Sequence, residues 1–416
     1  MTQTNVLKLG FIGLGQATNK VLARRHEFLS LPYEVTAAAD PRPQAREAFA
    51  NEFAGPAFDD AEALCRNADV DVVYIATPPE LHRRHVEIAA ACGKHIVVEK
   101  PMALTLADCE AMIAATEAAG VKMLAGHTHS FDAPIRAMRR IIHAGEIGAP
   151  VMINTWNFNE FNHRPRAPGE LTTTRGPILN QGPHQVDVVR QIGGGLVGTV
   201  RAQTISDELT GEVGGYICML QFADGTPATL VYDGRSFFDT AELFGGVSEG
   251  GLHRDPGLNA QRRTAFKEMK ALGGGAADKA LEAAKEAGRY GAEARPLPGT
   301  DTGDTEDKAP PFQPFFGLTV VSCIRGAMRQ SPTGLIVYGD DGPKEVPLAQ
   351  ELRGRAAELK ELYEGITAGR SIFHDGAWAM ATLEVCLAII ESAASGQEVE
   401  MHRQVAVADE ATGPKT

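Results

Sequence analysis

No uninterrupted apolar run in this chain approaches the roughly 18 residues that a membrane-spanning helix needs. Met1-Thr2-Gln3-Thr4-Asn5 has none of the features of a secretion signal. There is no CxxC pair and no histidine–cysteine spacing suited to a metal; Cys65, Cys92, Cys109, Cys218, Cys323 and Cys386 are scattered. That excludes a zinc ribbon or a disulfide framework, and it leads us to expect buried thiols in a reduced, cytoplasmic enzyme. Basic charge is scarce too. The chain has 40 Lys and Arg against 53 Asp and Glu, a formal net charge of −13. Neither nucleic acid nor an anionic membrane is therefore expected as a partner. What is present is length: 416 residues can bury a large core and divide into about two or three domains.

The chain opens on a strand, a turn and a helix. Lys8-Leu9-Gly10-Phe11-Ile12 runs into Gly13-Leu14-Gly15-Gln16, and Val21, Leu22, Arg25 and Phe28 follow at helical spacing. Gly13 and Gly15 give the tight turn and close backbone approach that a pyrophosphate needs at a helix N-terminus. The third fingerprint position is Thr18 instead of glycine, which should loosen or shift the helix–strand packing. A second strand, Tyr33 to Ala39, ends in Asp40, 25 residues after Gly15. A carboxylate there suits the 2′-hydroxyl of an adenosine ribose and repels a 2′-phosphate, favouring NAD over NADP. Arg42 keeps NADP open, because a guanidinium can pair with that phosphate.

Further strands are expected at 70–76, 96–98 and 122–126, with helices at about 83–92 and 106–119. Such alternation predicts a doubly wound parallel sheet over residues 1–126. Gly93-Lys94-His95-Ile96-Val97-Val98-Glu99-Lys100-Pro101 is the most informative stretch. Its β-branched run delivers Glu99 and Lys100 to the carboxyl edge of the sheet, where open α/β sheets bind their ligands. Pro101 ends the strand, and the Lys100–Pro101 bond is a candidate for the cis isomer.

The second half changes character. After a helix at about 134–143, strand-like segments follow at 151–156, 197–206, 215–222, 228–234, 316–324, 334–338 and 344–346. They predict an α+β domain over residues 127–408, with a largely antiparallel sheet open on one face. Asn180 and His184 are four apart, and Asp187 lies three beyond His184, a spacing that lets its carboxylate orient the imidazole. Residues 246–312 read as an insertion, with helices at 263–272 and 278–290 split by Gly273-Gly274-Gly275, then a mobile loop from 295 to 311. A lid, an oligomer contact and a plain surface excursion are all open for it. Residues 409–416 are expected to form a disordered tail.

Taken in order, Gly13-Leu14-Gly15, Thr77-Pro78 with His82, Glu99-Lys100-Pro101, Gly145-Glu146-Ile147-Gly148, the Gly182/His184/Asp187 segment and the closing stretch Ala388 to Gly396 resemble one family. It is that of the glucose–fructose oxidoreductase, inositol dehydrogenase and rhizopine-catabolism (Gfo/Idh/MocA) oxidoreductases. The resemblance covers almost the whole chain outside the insertion. It implies an N-terminal Rossmann domain whose nicotinamide lies over the sheet edge. Gly13, Gly15, Gln16, Asp40 and Arg42 would hold the cofactor at one end, and Thr77, Pro78, His82, Glu99 and Lys100 at the other. It implies that Lys100 and His184 are catalytic, and that homodimers or homotetramers form through the open sheet. Asn180 departs from the aspartate often found there, so it can bind substrate but cannot shuttle a proton.

Oxidising an alcohol needs a hydride acceptor and a base. A lysine is a weak base at its free pKa of about 10.4, but burial beside a cationic nicotinamide favours its neutral form. We expect Lys100 to take the hydroxyl proton, with His184 bonded to the same oxygen and held by Asp187. His163, Arg164, Arg166 and Arg175 precede Asn180. Arginines that converge on a pocket suit a carboxylate, although a solvated basic loop is the plainer alternative. His127 and His129 alternate on an extended segment and are expected to line the substrate pocket; no metal is expected. Asn180 to His184, Phe316 to Cys323 and Arg329-Gln330-Ser331-Pro332 are similar to the phthalate 4,5-cis-dihydrodiol dehydrogenase branch of the family. That implies oxidation of 4,5-dihydro-4,5-dihydroxyphthalate to a catechol, pulled forward by aromatisation. A sugar or inositol dehydrogenase is the rival reading. A dinucleotide-sensing regulator is the more distant one, since it would have lost the lysine or the histidine.

Overall fold

The computed structural model describes residues 5–28, 30–66, 69–292 and 310–408. The first sheet is built from β1 (Leu7–Ile12), β2 (Tyr33–Ala39), β3 (Ala57–Phe58), β4 (Val72–Ile75), β5 (His95–Glu99) and β6 (Met123–Gly126). Every neighbouring pair is parallel, in the order β3-β2-β1-β4-β5-β6. Helices cover both faces, which is why β4 and the middle of β5 are apolar throughout and fully buried. The strand order reverses between β1 and β4, so the crevice beyond their carboxyl ends is the place where such a sheet takes a ligand.

Thr18 does not loosen the first turn. Its buried hydroxyl donates to the Gly13 carbonyl at 2.5 Å, fastening helix Gln16–Ala23 to the glycine turn. A feature that sequence reading missed is helix Gly354–Thr367, which lies between strands of the second sheet in the chain yet returns to the first. Ala356, Leu359 and Leu362 pack with Leu7, Phe11 and Tyr74 in one buried cluster. The first sheet's cover is therefore not confined to residues 1–126.

The second sheet comprises β7 (Pro150–Phe158), β8 (Val197–Ser206), β9 (Val213–Phe222), β10 (Pro227–Asp233), β11 (Leu318–Cys323), β12 (Gly326–Ser331), β13 (Gly334–Gly339), β14 (Gly342–Pro347) and β15 (Val399–Glu400). Its order is β14-β13-β12-β11-β7-β10-β9-β8-β15. Only β7 and β10 run parallel; the other pairs are antiparallel. One face sends Ile153, Tyr216, Leu220, Leu230 and Tyr232 into a core shared with helices Gly182–Gly193 and Gly376–Ser395. On the other face Trp156, Ile217 and Met219 are exposed.

Among the described residues, Gly376–Ser395 is the one helix long and apolar enough to cross a membrane. A search for uninterrupted runs passes it over because Glu384 and Glu391 break it. Here it is a core helix, with Trp378, Leu383, Val385 and Ile389 buried. All six cysteines are free thiols. The insertion forms helices Leu258–Ala271 and Gly274–Glu286. The loop expected at 295–311 falls almost wholly outside the described residues, and so does the tail at 409–416.

Because Leu359 is fully buried against the first sheet, Leu359→Ala should cost about 2–5 kcal/mol in denaturant unfolding. A loss well under about 1 kcal/mol would detach helix Gly354–Thr367 from that core.

Candidate active site

The carboxyl edge of the first sheet faces the second domain across a cleft of about 410 Å³. At one side lies the glycine turn. Gly13 has φ +91°, and a Cβ there would come within 2.9 Å of the Ala76 carbonyl oxygen, so only glycine fits. Helix Gln16–Ala23 starts at Gly15 with no side-chain cap, leaving its first N–H groups to a ligand. This chain's own residues thus fit a dinucleotide, with the glycine turn for the pyrophosphate and the edge of β4 and β5 for the nicotinamide.

Lys100 follows β5 through a cis Lys100–Pro101 bond. Its Nζ donates to the Asn180 carbonyl at 2.8 Å and lies 3.3 Å from the Asn180 Oδ1. Burial pulls the lysine down to about 8, against the opposing pull of Glu99. Gln181 Nε2 also donates to Asn180 Oδ1, at 2.7 Å, which fixes the amide's orientation toward the lysine. His184 sits on the first turn of helix Gly182–Gly193 and lines the same cleft. Burial, then the nearby Lys100 charge, hold its imidazole well below the ordinary value, so the ring is neutral. Its ring centroid is 4.8 Å from that of His129 and 5.1 Å from that of Phe316, while His129 stacks on Phe316 at 4.5 Å. His129 Nδ1 pairs with Asp132 Oδ2 at 3.0 Å. These three rings form an apolar, edge-rich wall beside the lysine.

Arginines also gather along the cleft. Arg164 is held by Glu160 at 3.0 Å. Arg166 lies over Phe161 and donates to the Arg164 and Phe161 carbonyls. Burial brings the Arg166 guanidinium down to about 10, still cationic at neutral pH. Arg353 and Arg355, at the start of helix Gly354–Thr367, also line the cleft. Sequence reading missed both, although Ala356, Leu359, Leu362 and Ile366 carried the helical spacing that would have found the helix.

Several expected site residues sit elsewhere. Arg175 is exposed, has φ +51°, and is absent from the cleft wall; it is a turn residue and cannot bind a substrate there. His127 is buried behind the cleft and does not line it, because the side chain after β6 turns inward. His163 lies 3.4 Å from Asp207, away from the cleft. Asp187 takes its hydrogen bond from the Trp378 indole and leaves His184 Nδ1 without a partner. His82 reaches the Thr77, Pro101 and Met102 carbonyls at 2.9, 3.1 and 3.2 Å, tying β4's exit to the Lys100 turn. Thr77 bonds His85, and Pro78 leads into a short helical turn at the sheet edge. Glu99 is buried between Tyr74 and Arg355. Asp40 and Arg42 bond each other beside Leu14, and Gln16 donates to the Lys285 carbonyl of the insertion. No cluster of three or more metal-ligating side chains occurs among the described residues.

This fold and edge are those of a nicotinamide-dependent oxidoreductase. Residues 7–127 match the model of the oxidoreductase family with the NAD-binding Rossmann fold, Gfo/Idh/MocA, and residues 135–245 match that family's C-terminal domain. The chain is 32% identical over 401 residues to a 1-carboxy-3-chloro-3,4-dihydroxycyclohexa-1,5-diene dehydrogenase of Comamonas testosteroni, covering 92% of this chain and 94% of that one. An inositol 2-dehydrogenase of Burkholderia multivorans is 31% identical over 191 residues, 45% of this chain and 55% of the relative. The solved structure of a putative dehydrogenase from Bordetella bronchiseptica RB50 aligns with a TM-score of 0.84 at 32% identity, over 95% of this chain and all of that one. The chain belongs to the Gfo/Idh/MocA family and is an NAD(P)-dependent dehydrogenase.

If neutral Lys100 is the base, kcat/KM for oxidation should rise about tenfold per pH unit below pH 8 and level off above it, because only the deprotonated amine accepts a proton. Lys100→Met should remove that limb and lower kcat by about 10²–10⁴-fold. Stopped-flow turnover and dinucleotide titration check it; normal turnover in the variant would end the assignment.

Proposed function

We propose that this dehydrogenase oxidises the cis-diol of a carboxylated dihydroaromatic ring, of the 4,5-dihydro-4,5-dihydroxyphthalate type, to the catechol. The observation that carries the reading is the sharing of one cleft by Lys100, the His129/His184/Phe316 wall and the desolvated Arg166. A flat ring suits the aromatic wall. A buried guanidinium gains most from an anion, and a carboxylate on the ring supplies it. A neutral polyol has little use for that wall of arginines. The likeness to a relative named for a carboxylated ring diol spans 92% of the chain, whereas the inositol relative covers 45%.

The bound nicotinamide supplies the hydride acceptor. The chain's residues manage the proton and the pose. Lys100 Nζ takes the hydroxyl proton as the carbinol C–H leaves, with the Asn180 carbonyl and side chain keeping the amine in place. His184 is neutral and hydrogen-bonds the same oxygen. Arg164 and Arg166 fix the carboxylate end. Loss of two hydrogens from the ring diol gives an enone that tautomerises to the catechol, and aromaticity makes the step downhill.

The test compares reduction of NAD with the phthalate cis-dihydrodiol, myo-inositol and a hexose panel. Fast turnover is expected only with the dihydrodiol. Arg166→Ala should raise KM for it by about ten- to a hundredfold, the loss of one charge-assisted contact. Turnover confined to polyols would replace this reading with a sugar or inositol dehydrogenase.

A second copy of the chain is the partner we assign to the open sheet face. Cross-strand register puts Trp156, Val231 and Ile217 in one row and Asn154, Thr229 and Met219 in the next. Trp156, Ile217 and Met219 are 40–50% exposed, an apolar strip at the middle of a wide sheet. A homodimer or homotetramer is expected by light scattering, and Trp156→Glu should shift it to a smaller species. A monomeric unmodified protein would refute the assignment.

A further inference from the structure

The insertion reaches out of the second domain and lies along the dinucleotide turn. After helix Gly274–Glu286 the chain passes directly over the start of helix Gln16–Ala23. Gln16 Nε2 donates to the Lys285 carbonyl at 3.0 Å, and Asn19 Nδ2 to the Gly288 carbonyl at 3.2 Å. Tyr290, buried, bonds Glu52 at 2.6 Å. Gly291 has φ +73°, and a Cβ there would lie 3.0–3.3 Å from Ala48, Ala45 and the Gln44 carbonyl. That close approach seats the arm on helix Pro43–Phe53, the helix that follows Asp40. Lys285 in turn pairs with Glu170 of the second domain.

Charge at this place is densely arranged. Asp40, 6% exposed, accepts from the Leu14 and Arg42 N–H groups at 2.8 and 2.9 Å and from Arg42 Nε at 3.0 Å. Arg42 Nη2 donates to the Leu14 carbonyl at 2.6 Å, and its Nη1 faces Glu286 Oε2 of the arm at 3.8 Å. Glu286 Oε1 also holds Arg289 at 2.6 Å. Arg46 donates to the Asp40 and Pro41 carbonyls, both at 2.9 Å. Arg42 and Arg46 therefore flank Asp40, and Arg289 shares the Glu286 carboxylate with Arg42, a surplus of cations that would welcome a phosphate. Asp40 and Glu286 are the carboxylates that occupy Arg42 and Arg289.

We propose that Glu286, supplied by the insertion, sets the coenzyme preference: it engages Arg42 and Arg289 and so denies them to a 2′-phosphate. The inference rests on the dinucleotide binding that the Rossmann domain performs and is independent of the substrate. Asp40 alone does not suffice for discrimination, because Arg42 reaches past it. The arm adds a second negative charge on the solvent side of that guanidinium, where a 2′-phosphate would otherwise approach. The insertion is then a specificity element and not an inert excursion.

The test needs no substrate. NADH and NADPH are titrated against the full-length protein by nicotinamide fluorescence, for the unmodified chain and for Glu286→Gln. The unmodified protein is expected to prefer NADH. Removal of one partly exposed charge should raise NADPH affinity by about five- to tenfold while NADH affinity stays within about twofold. The gain should shrink at high salt, since these groups are partly exposed. Adding Arg289→Ala to Glu286→Gln should return part of it, because one of the two released cations is then gone. An unchanged NADPH-to-NADH ratio in Glu286→Gln, or a gain indifferent to Arg289, overturns the proposal. Failure of either coenzyme to bind the unmodified protein would instead strike at dinucleotide binding itself.

Discussion

Tyr74, Glu99 and Arg355 meet at the cleft, and the placement of Lys100 depends on that meeting. Glu99 Oε1 accepts from Arg355 Nη2 at 2.7 Å, from its Nε at 3.0 Å and from the Tyr74 hydroxyl at 2.9 Å. Glu99 is the last residue of β5, and Lys100 is the next. Arg355 belongs to a helix about 250 residues later in the chain, so one ion pair locks the lysine's strand to the segment that closes the cleft. Removing one member of a buried pair typically costs about 3–5 kcal/mol, because the other is left charged and unpaired. Here it would also release the end of the strand that aims Lys100.

The same place sorts two acids and two bases by surroundings alone. Glu99 takes the guanidinium and stays ionised below the ordinary carboxylate range, despite its burial. Glu358, one turn beyond Arg355, has buried oxygens with no hydrogen-bond partner; burial pushes it up to about 8, with Glu99 adding to the push. One carboxyl is therefore charged and its neighbour neutral at pH 7, a separation that comes from pairing geometry and not from residue type. Lys100 and His184 show the matching pattern among the bases. Burial disfavours the charged form of both, and the Lys100 charge further disfavours protonation of His184. With Lys100 drawn down to about 8, an appreciable share of the amine becomes neutral near that pH without an aspartate at position 180.

The first domain was legible because its signals are local. Glycine at φ +91°, β-branched runs and an acid at the end of β2 are each readable within ten residues or so, and the parallel sheet they imply is the one observed. Lys100, Asn180 and His184 were legible for a similar reason, since each sits at the start or end of an element. What stayed hidden depends on distant packing. Asp187 has the right spacing to hold His184, yet Trp378, 191 residues on, takes its oxygen instead. His82 resembles a cofactor contact in sequence, but its two ring nitrogens are drawn to three backbone carbonyls around the Lys100 turn. Arg175 and Arg166 look alike in a basic segment; one ends in a left-handed turn facing water and the other is folded onto Phe161. No one-dimensional pattern separates those fates.

The arginines of the cleft also bear on the proposed aromatising substrate. Arg164 is compensated by Glu160, which Arg254 of the insertion also holds, and Arg355 by Glu99. Arg166 instead bonds two carbonyl oxygens, and the Glu170 carboxylate that opposes the effect of its burial is itself paired with Lys285. A buried cation is costly unless an anion comes to it. The proposed carboxylated ring would bring that anion and a flat face together, so its binding would relieve the cation while seating the ring against His129, His184 and Phe316. That carboxylate would survive oxidation of the diol, so Arg166 would hold substrate and product alike and do little for the barrier itself. On the proposed reading the forward pull would come from the ring becoming aromatic, and the protein's task would narrow to removing one proton at Lys100 and holding the ring still while the hydride leaves.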